Sequence, residues 1–311
     1  MAISRKVIAF YKFNKQVITE YIADNVLKYS ASLSYYTTLS LAPLIIIIIS
    51  VSGLLFGKEA MRGEVYGQIS GLVGSDAAIQ IQSTIQNIHL SRNTPFATGI
   101  SLIILLLGAT GIFGEMQDSL NKIWGLRTKA RRVWWKILLD RLISFSLILS
   151  IGFVLTVSLI LNALVAAFST RINAIVMGAG DTMLPMIDIL LSILITTCMF
   201  ATIFKVLPDA KIKWKDVFVG AFITSVLFTL GKFGIGVYLG KSNLTSVYGA
   251  AGSIIIIMVW IYYSSAILYL GSVFTKVYAS CYGGKIYPND YAVWIKVEEI
   301  PVPDVTLNEK K

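Results

Sequence analysis

Side chains that commonly carry out catalysis are scarce in this sequence. Its single histidine, His89, excludes a zinc site built from several histidines, and no phosphate-binding loop motif is present. Glu115 and Asp118 stand three residues apart, so on a helix they share one face. They meet a nuclease's need for clustered carboxylates only loosely, and we favour structural pairing with basic loop residues. We therefore expect no enzyme activity, no metal and no cofactor.

Two charges fall inside segments that are otherwise apolar. Lys232 and Asp188 lie in different hydrophobic stretches, at comparable distances from their ends. Charges within a membrane are costly and usually functional. Three interpretations remain open for Lys232: an ion pair with Asp188, a side chain that extends outward to the membrane surface, or a contact with an anionic lipid headgroup.

A hydroxyl-rich stretch opens the first apolar segment. Between Tyr29 and Ser40, nine of the twelve residues carry a hydroxyl, and Pro43 follows. The helical spacing of Ser32, Tyr36, Ser40 and Pro43 places them on one stripe. That stripe is a candidate substrate path through a polar cavity, or else it packs against a neighbouring helix, since hydroxyls and small residues allow close approach.

Glycines recur at helical spacing in three segments. They are candidates for close helix packing and for helices that slide or open: Gly108, Gly111, Gly114, Gly236, Gly240, Gly249 and Gly252. Close packing is the default interpretation, because small residues let two backbones approach.

These residues are carried by segments that are long enough to cross a bilayer. Hydrophobic residues make up 56% of the chain and charged residues 14%, against about 25% charged residues in soluble domains. Runs of about 20 apolar residues span the hydrocarbon layer as helices. The predicted spans are 33–57, 96–114, 142–168, 183–207, 217–240 and 248–275. The fold class is therefore an all-α membrane protein with a bundle of six transmembrane helices.

The distribution of positive charge predicts the orientation. Of the 27 lysines and arginines, 21 lie before the first span, in alternate loops, or after the last span, and five lie in the other loops. The positive-inside rule then places both termini in the cytoplasm. The net charge of +10 is explained by this topology and by anionic headgroups, so lipids rather than nucleic acid are the expected partners.

Three further segments complete the predicted organisation. Residues 1–29 form an interfacial amphipathic helix with apolar residues on one face and Arg5, Lys12 and Lys15 on its flank. The apolar face comprises Ile3, Val7, Phe10, Tyr11, Ile18, Tyr21 and Ile22. Residues 30–282 form the transmembrane domain. Its loop 58–96, outside the cytoplasm, is either a structured helical loop or a lid, and 283–311 form a cytoplasmic tail.

Several motifs together resemble the YihY/BrkB family of membrane proteins. They are Ser30-Ala-Ser-Leu-Ser-Tyr-Tyr-Thr-Thr-Leu-Ser-Leu-Ala-Pro43, Ala109-Thr-Gly-Ile-Phe-Gly, Leu120-Asn-Lys-Ile-Trp124, Leu207-Pro208 with Lys213-Trp214-Lys215-Asp216, Tyr248-Gly-Ala-Ala-Gly-Ser253 and Trp260-Ile-Tyr262. The family often carries a glutamate after a Gly-Ala pair late in the last span. Here Gly271-Ser272 is followed by Val273, so this chain lacks that acid.

The resemblance implies a six-span protein of the bacterial inner membrane. The family has carried ribonuclease and virulence-factor labels, and members have been linked to envelope lipid handling. We expect a non-enzymatic protein that moves, or helps to move, a phospholipid or a lipid A precursor. The rivals are a transporter of small solutes or ions, a membrane nuclease, and an assembly or structural factor. A homo-oligomer and an envelope partner protein both remain open.

The topology can be tested with reporter fusions. Fusions at Gln82 and at Lys311 should report opposite sides of the membrane, because the loop 58–96 and the C terminus are separated by five predicted spans. Signals from the same compartment at both positions would contradict the six-span arrangement.

Overall fold

The computed structural model describes residues 2–40, 111–129, 180–241 and 250–295. In these ranges the chain is mostly helical. The helices are α1 (Ala2–Ala23), α2 (26–40), α3 (111–123), α4 (Gly180–Val206), α5 (Trp214–Lys241) and α6 (Ala250–Cys281). Four short strands accompany them: β1 (Leu126–Thr128), β2 (Ala210–Lys211), β3 (Tyr287–Pro288) and β4 (Ala292–Trp294).

Three described helices are long and apolar enough to cross a membrane. Their qualifying stretches are Ile189–Val206 in α4, Trp214–Ile235 in α5 and Ile254–Cys281 in α6. They correspond to the predicted spans 183–207, 217–240 and 248–275, although α6 continues past the predicted end to Cys281. The predicted span 142–168, the loop 58–96 and most of spans 33–57 and 96–114 lie outside the described residues.

The N-terminal helix is shorter than the segment 1–29 predicted for it. α1 ends at Ala23, and α2 begins after the two-residue turn of Asp24 and Asn25. Asn25 has a positive φ of 52°, a conformation that asparagine tolerates better than most residues. The turn allows the chain to change direction, and Val26 directly after it is fully buried.

α5 lies between α4 and α6 and contacts both. Helices α4 and α5 are joined by the short segment 207–213, which makes them antiparallel neighbours. Where α5 meets α6, each helix presents a glycine to a threonine of the other. A Cβ added at Gly220 would lie 2.8 Å from Cβ of Thr275, and one added at Gly271 would lie 2.8 Å from Cβ of Thr224.

The hydroxyl of each of these threonines also has a hydrogen-bond acceptor within its own helix. Thr224 donates to the carbonyl of Gly220 at 2.7 Å, and Thr275 donates to the carbonyl of Gly271 at 2.7 Å. Both threonines are fully buried. Because a hydroxyl bonded to its own helix needs no partner elsewhere, the threonine side chain can fill the notch opposite, with its oxygen nearest the glycine. We call Gly220, Thr224, Gly271 and Thr275 the α5–α6 crossing.

Two small antiparallel ribbons close one end of the bundle. β1 pairs with β4, with Leu126 opposite Trp294, and β2 pairs with β3, with Lys211 opposite Tyr287. The segment that follows α6 thus joins the ends of α3, α4 and α5. This capped end contains fully buried side chains such as Trp124, Phe204 and Val217. Within its described part, 283–295, the predicted tail is an ordered cap.

The α5–α6 crossing yields a stability prediction. Gly220→Ala should lower the free energy of unfolding by about 1–3 kcal/mol, the usual cost of overpacking, because the new methyl overlaps Thr275. Gly234→Ala is the matched control in the same helix, since no described atom lies within 4 Å of a Cβ there. The control should be neutral or slightly stabilising, because alanine favours helix. Thermal unfolding in detergent measures both, and equal melting temperatures would argue against a tight crossing.

Candidate functional site

The hydroxyl-rich stretch is divided between helix contacts and exposed surface. Ser34 is buried and donates to the carbonyl of Met258 in α6 at 2.7 Å, which joins α2 to α6. Among the predicted path residues, Ser40 is buried, Ser32 is half-buried and Tyr36 is exposed. Pro43 lies outside the described residues. Ser34 therefore serves helix packing, and the stripe of Ser32, Tyr36 and Ser40 does not share one environment.

The predicted glycines also occupy different surroundings. A Cβ at Gly111 would lie 3.8 Å from the hydroxyl of Ser40, so α3 approaches α2 there. No described atom lies within 4 Å of a Cβ at Gly114, and Gly252 is buried. Gly108 and Gly249 lie outside the described residues, as do the surroundings of Gly236 and Gly240 in α5.

Sequence reasoning missed three tight glycine contacts between α5 and α6. They lie at Gly220 and Gly271 and also at Gly231, where a Cβ would approach Tyr263 and Ile267 of α6 to 2.7–2.8 Å. The available signal was the four-residue spacing of a glycine and a threonine, Gly220 with Thr224 and Gly271 with Thr275. This spacing is a form of the small-residue pairing that membrane helices use.

Asp209 is the most buried acid among the described residues of the capped end, and sequence reasoning did not single it out. It is 1% exposed. Its carboxylate accepts from the side-chain amides of Gln117 at 3.2 Å and Asn121 at 3.0 Å, and its backbone N–H donates to Asn121 at 2.8 Å. A buried carboxylate with several donors is stabilised in its place, so Asp209 fixes the segment 207–213 on α3.

The two predicted acids lie on the same helix as Gln117 and Asn121 and differ in burial. Glu115 is half-buried, and Asp118 is exposed. Among the described residues, no group of three or more histidine, cysteine, aspartate or glutamate side chains could hold a metal ion. In the next turn, the indole N–H of Trp124 donates to the hydroxyl of Ser272 at 2.8 Å, which ties the end of α3 to α6.

Opposite the cap, the described parts of α4 and α5 carry exposed apolar side chains, and we call this the far end. On α4, Met186, Ile187, Ile189 and Leu190 are all exposed, and they point in different directions around the helix. On α5, Leu230 and Phe233 are exposed in the same way. Within the part of the chain that the structure describes, the far ends of α4 and α5 therefore carry exposed apolar surface.

Lys232 belongs to this far end. Its side chain is exposed, between the exposed Leu230 and Phe233. Hydroxyls of Thr196 and Ser225 meet across α4 and α5, and Ser225 also donates to the carbonyl of Ile193 at 2.9 Å. Counted from that contact, positions 188 and 232 lie about 12 Å and about 10.5 Å along antiparallel axes. The two backbone positions are thus nearly level, whereas the side chain of Asp188 lies outside the described set.

A second charged cluster joins α1 to α6. The ammonium of Lys276 lies 3.0 Å from Oε2 of Glu20 and 3.2 Å from Oδ2 of Asp24. About a quarter of each of the three side chains is exposed. Burial raises the pKa of Asp24 above its ordinary value, and the attraction of Lys276 lowers it again only in part. One lysine shared by two acids leaves this cluster with excess negative charge.

An apolar helical bundle with a polar, ribbon-closed end defines the class of this protein as a multi-span membrane protein. The chain belongs to the family described as virulence factor BrkB, whose model matches residues 17–290. The predicted family is thereby confirmed.

Curated relatives agree with this assignment. A UPF0761 membrane protein of Pseudoalteromonas atlantica is 25% identical over 82% of this chain and 81% of its own length. Another from Tolumonas auensis is 26% identical over 78% of this chain and 77% of its own length. A third, from Chromobacterium violaceum, is 26% identical over 86% of this chain and 62% of its own length. No solved structure matches the chain at a significant level.

The Lys276 cluster predicts unequal roles for its two acids. A raised folded pKa means that the contribution of Asp24 to stability is complete at low pH and is lost as the pH rises through that pKa. Asp24→Asn should therefore leave the melting temperature at neutral pH unchanged or higher, and should weaken its decline as the pH rises above the ordinary aspartate pKa of about 4.

Glu20→Gln is the matched comparison. It removes the closer acid and leaves Asp24, so it should lower the free energy of unfolding at neutral pH by about 1 kcal/mol. Scanning fluorimetry across pH measures both variants. If Asp24→Asn destabilises the protein as much as Glu20→Gln does, the attraction of Lys276 outweighs burial at Asp24.

Proposed function

We propose that this protein is a six-span protein of the bacterial inner membrane that transports, or helps to transport, an amphiphilic envelope molecule. Both termini lie in the cytoplasm, α1 lies at the membrane interface, and the substrate is a phospholipid or a lipid A precursor. The single observation that carries the proposal is the contrast between the closed, capped end and the open far end, where Lys232 lies among uncovered apolar side chains.

An amphiphile has two requirements that this region meets. Acyl chains need apolar surface that is accessible from the bilayer, and Met186, Leu190, Leu230 and Phe233 provide it. A phosphate-bearing headgroup needs a cation, and Lys232 provides one at the same level of α5. A cation in the hydrocarbon layer costs about 2.5–3.5 kcal/mol on insertion scales, so an anionic partner there is favoured.

The chemistry of the capped end supports a role without catalysis. Asp209 is held by amide groups of Gln117 and Asn121 and by a backbone contact, an arrangement that fixes a loop. Glu115 is half-buried and Asp118 is exposed, and the described residues form no group of three or more potential metal ligands. A nuclease is therefore the weaker proposal.

Lys232→Met tests the proposal in proteoliposomes that contain a fluorescent anionic phospholipid. If Lys232 contacts the headgroup, the variant should fold normally and bind or transfer that lipid about fivefold less well, the equivalent of about 1 kcal/mol per surface cation. Lys215→Met is the matched control, since Lys215 is an exposed lysine of the same helix at the capped end. It should not change lipid transfer.

The same variant separates the other interpretations of Lys232. If Asp188 is its partner, Lys232→Met alone should lower the melting temperature, and the added Asp188→Asn should restore much of the loss. A variant that equals the wild type in stability, lipid binding and transfer would remove Lys232 from the substrate path. Wild-type protein that moves no lipid in either direction would overturn the transport proposal itself.

A further inference from the structure

α1 has an exposed apolar face, which its sequence predicted, and an opposite face that packs on the bundle, which its sequence did not make evident. One face is uncovered: Val7, Tyr11, Ile18 and Ile22 recur at spacings of four and seven residues and are all exposed. The other face carries Phe13, Val17, Glu20 and Asp24 at spacings of four, three and four. Phe13 and Val17 are buried against the bundle. A helix with apolar residues on both faces has two surfaces to cover.

The inner face is held on α6 by aromatic rings and by charge. The ring of Phe13 lies 5.1 Å from that of Phe274 in an edge-to-face arrangement, and 5.8 Å from that of Tyr282. The rings of Phe274, Tyr278 and Tyr282 continue along the same side of α6. About two and three turns beyond Phe13, Glu20 in α1 and Asp24 directly after its end enclose Lys276. We call these contacts the α1–α6 bracket.

The outer face has the composition that an anionic bilayer surface binds. Lys12 and Lys15 are exposed and lie on the flank of the Val7, Tyr11, Ile18 and Ile22 stripe. An apolar stripe buries itself at the level of the headgroups, and each flanking lysine near an anionic surface contributes about 1 kcal/mol. The charges of the two faces are opposite, because the bracket has an excess of carboxylates and the flank has only cations.

We infer that α1 is a binding site for anionic lipid headgroups, which contacts an anionic bilayer surface with one face and α6 with the other. The turn at Asp24 and Asn25 joins the same helix to α2. The site is separate from the far end, and the inference rests on the proposed interfacial position of α1 and not on transport.

Hydrogen exchange of the full-length protein in nanodiscs tests this inference. The probes are discs of phosphatidylcholine alone and discs that also contain phosphatidylglycerol, and the readout is amide protection in residues 2–23. In the wild type, the anionic lipid should raise protection about 30-fold, as two flanking cations at about 1 kcal/mol each predict. Lys12→Gln with Lys15→Gln should abolish that increase and leave the protection in neutral discs unchanged.

The bracket is tested in the same discs. Lys276→Met should lower protection of α1 in neutral discs, while the increase with anionic lipid remains. Lys276→Arg should keep most of the protection, and exchange of α5 at residues 214–241 reports whether each variant is folded. If Lys276→Met unfolds α5, Phe13→Ala replaces it, with the same expected loss in neutral discs.

Two results would overturn the inference. Equal protection of wild-type α1 in neutral and anionic discs would show that its outer face does not bind an anionic surface. Unchanged protection in neutral discs for folded Lys276→Met and Phe13→Ala variants would show that α1 is not held on α6 by the bracket.

Discussion

The α5–α6 crossing is the contact on which the rest of the described bundle depends. Two glycines and two threonines interlock there, and each threonine hydroxyl is satisfied by its own helix. Lipid offers helices no hydrophobic reason to associate, so close van der Waals contact must supply the attraction. A methyl group at either glycine would separate the backbones, and α4 and α1 contact the bundle through these same two helices.

The two ends of the described bundle differ in how many of their polar and apolar side chains have partners within the protein. At the capped end, the Asp209 carboxylate accepts from Asn121, the Trp124 indole donates to Ser272, and the strands of each ribbon pair with each other, which fixes the segments that join the helices. At the far end, α4 and α5 expose aliphatic and aromatic side chains together with Lys232. The closed end is suited to holding the helices in register, and the open end is suited to contact with lipid.

Much of this architecture could be predicted from the sequence because the bilayer imposes simple rules. Length and apolar composition located α4, α5 and α6, since a spanning segment must satisfy its backbone internally. The motifs from Ser30 to Tyr262 identified the family, and the match over residues 17–290 bears them out. Helical spacing also placed Val7, Tyr11, Ile18 and Ile22 on one exposed face of α1.

Only the tertiary structure decided which small or polar residues meet. Gly111 and Gly220 look alike in sequence, yet only Gly220 has a threonine of another helix against its Cα, because that depends on how α5 and α6 cross. Asp209 is held by residues of α3 that lie far away in the chain, and Lys276 by two acids of α1. The repeat of about 3.6 residues per turn determines which residues share a face of one helix. Which residues that face contacts is determined by packing between segments that are distant in the chain.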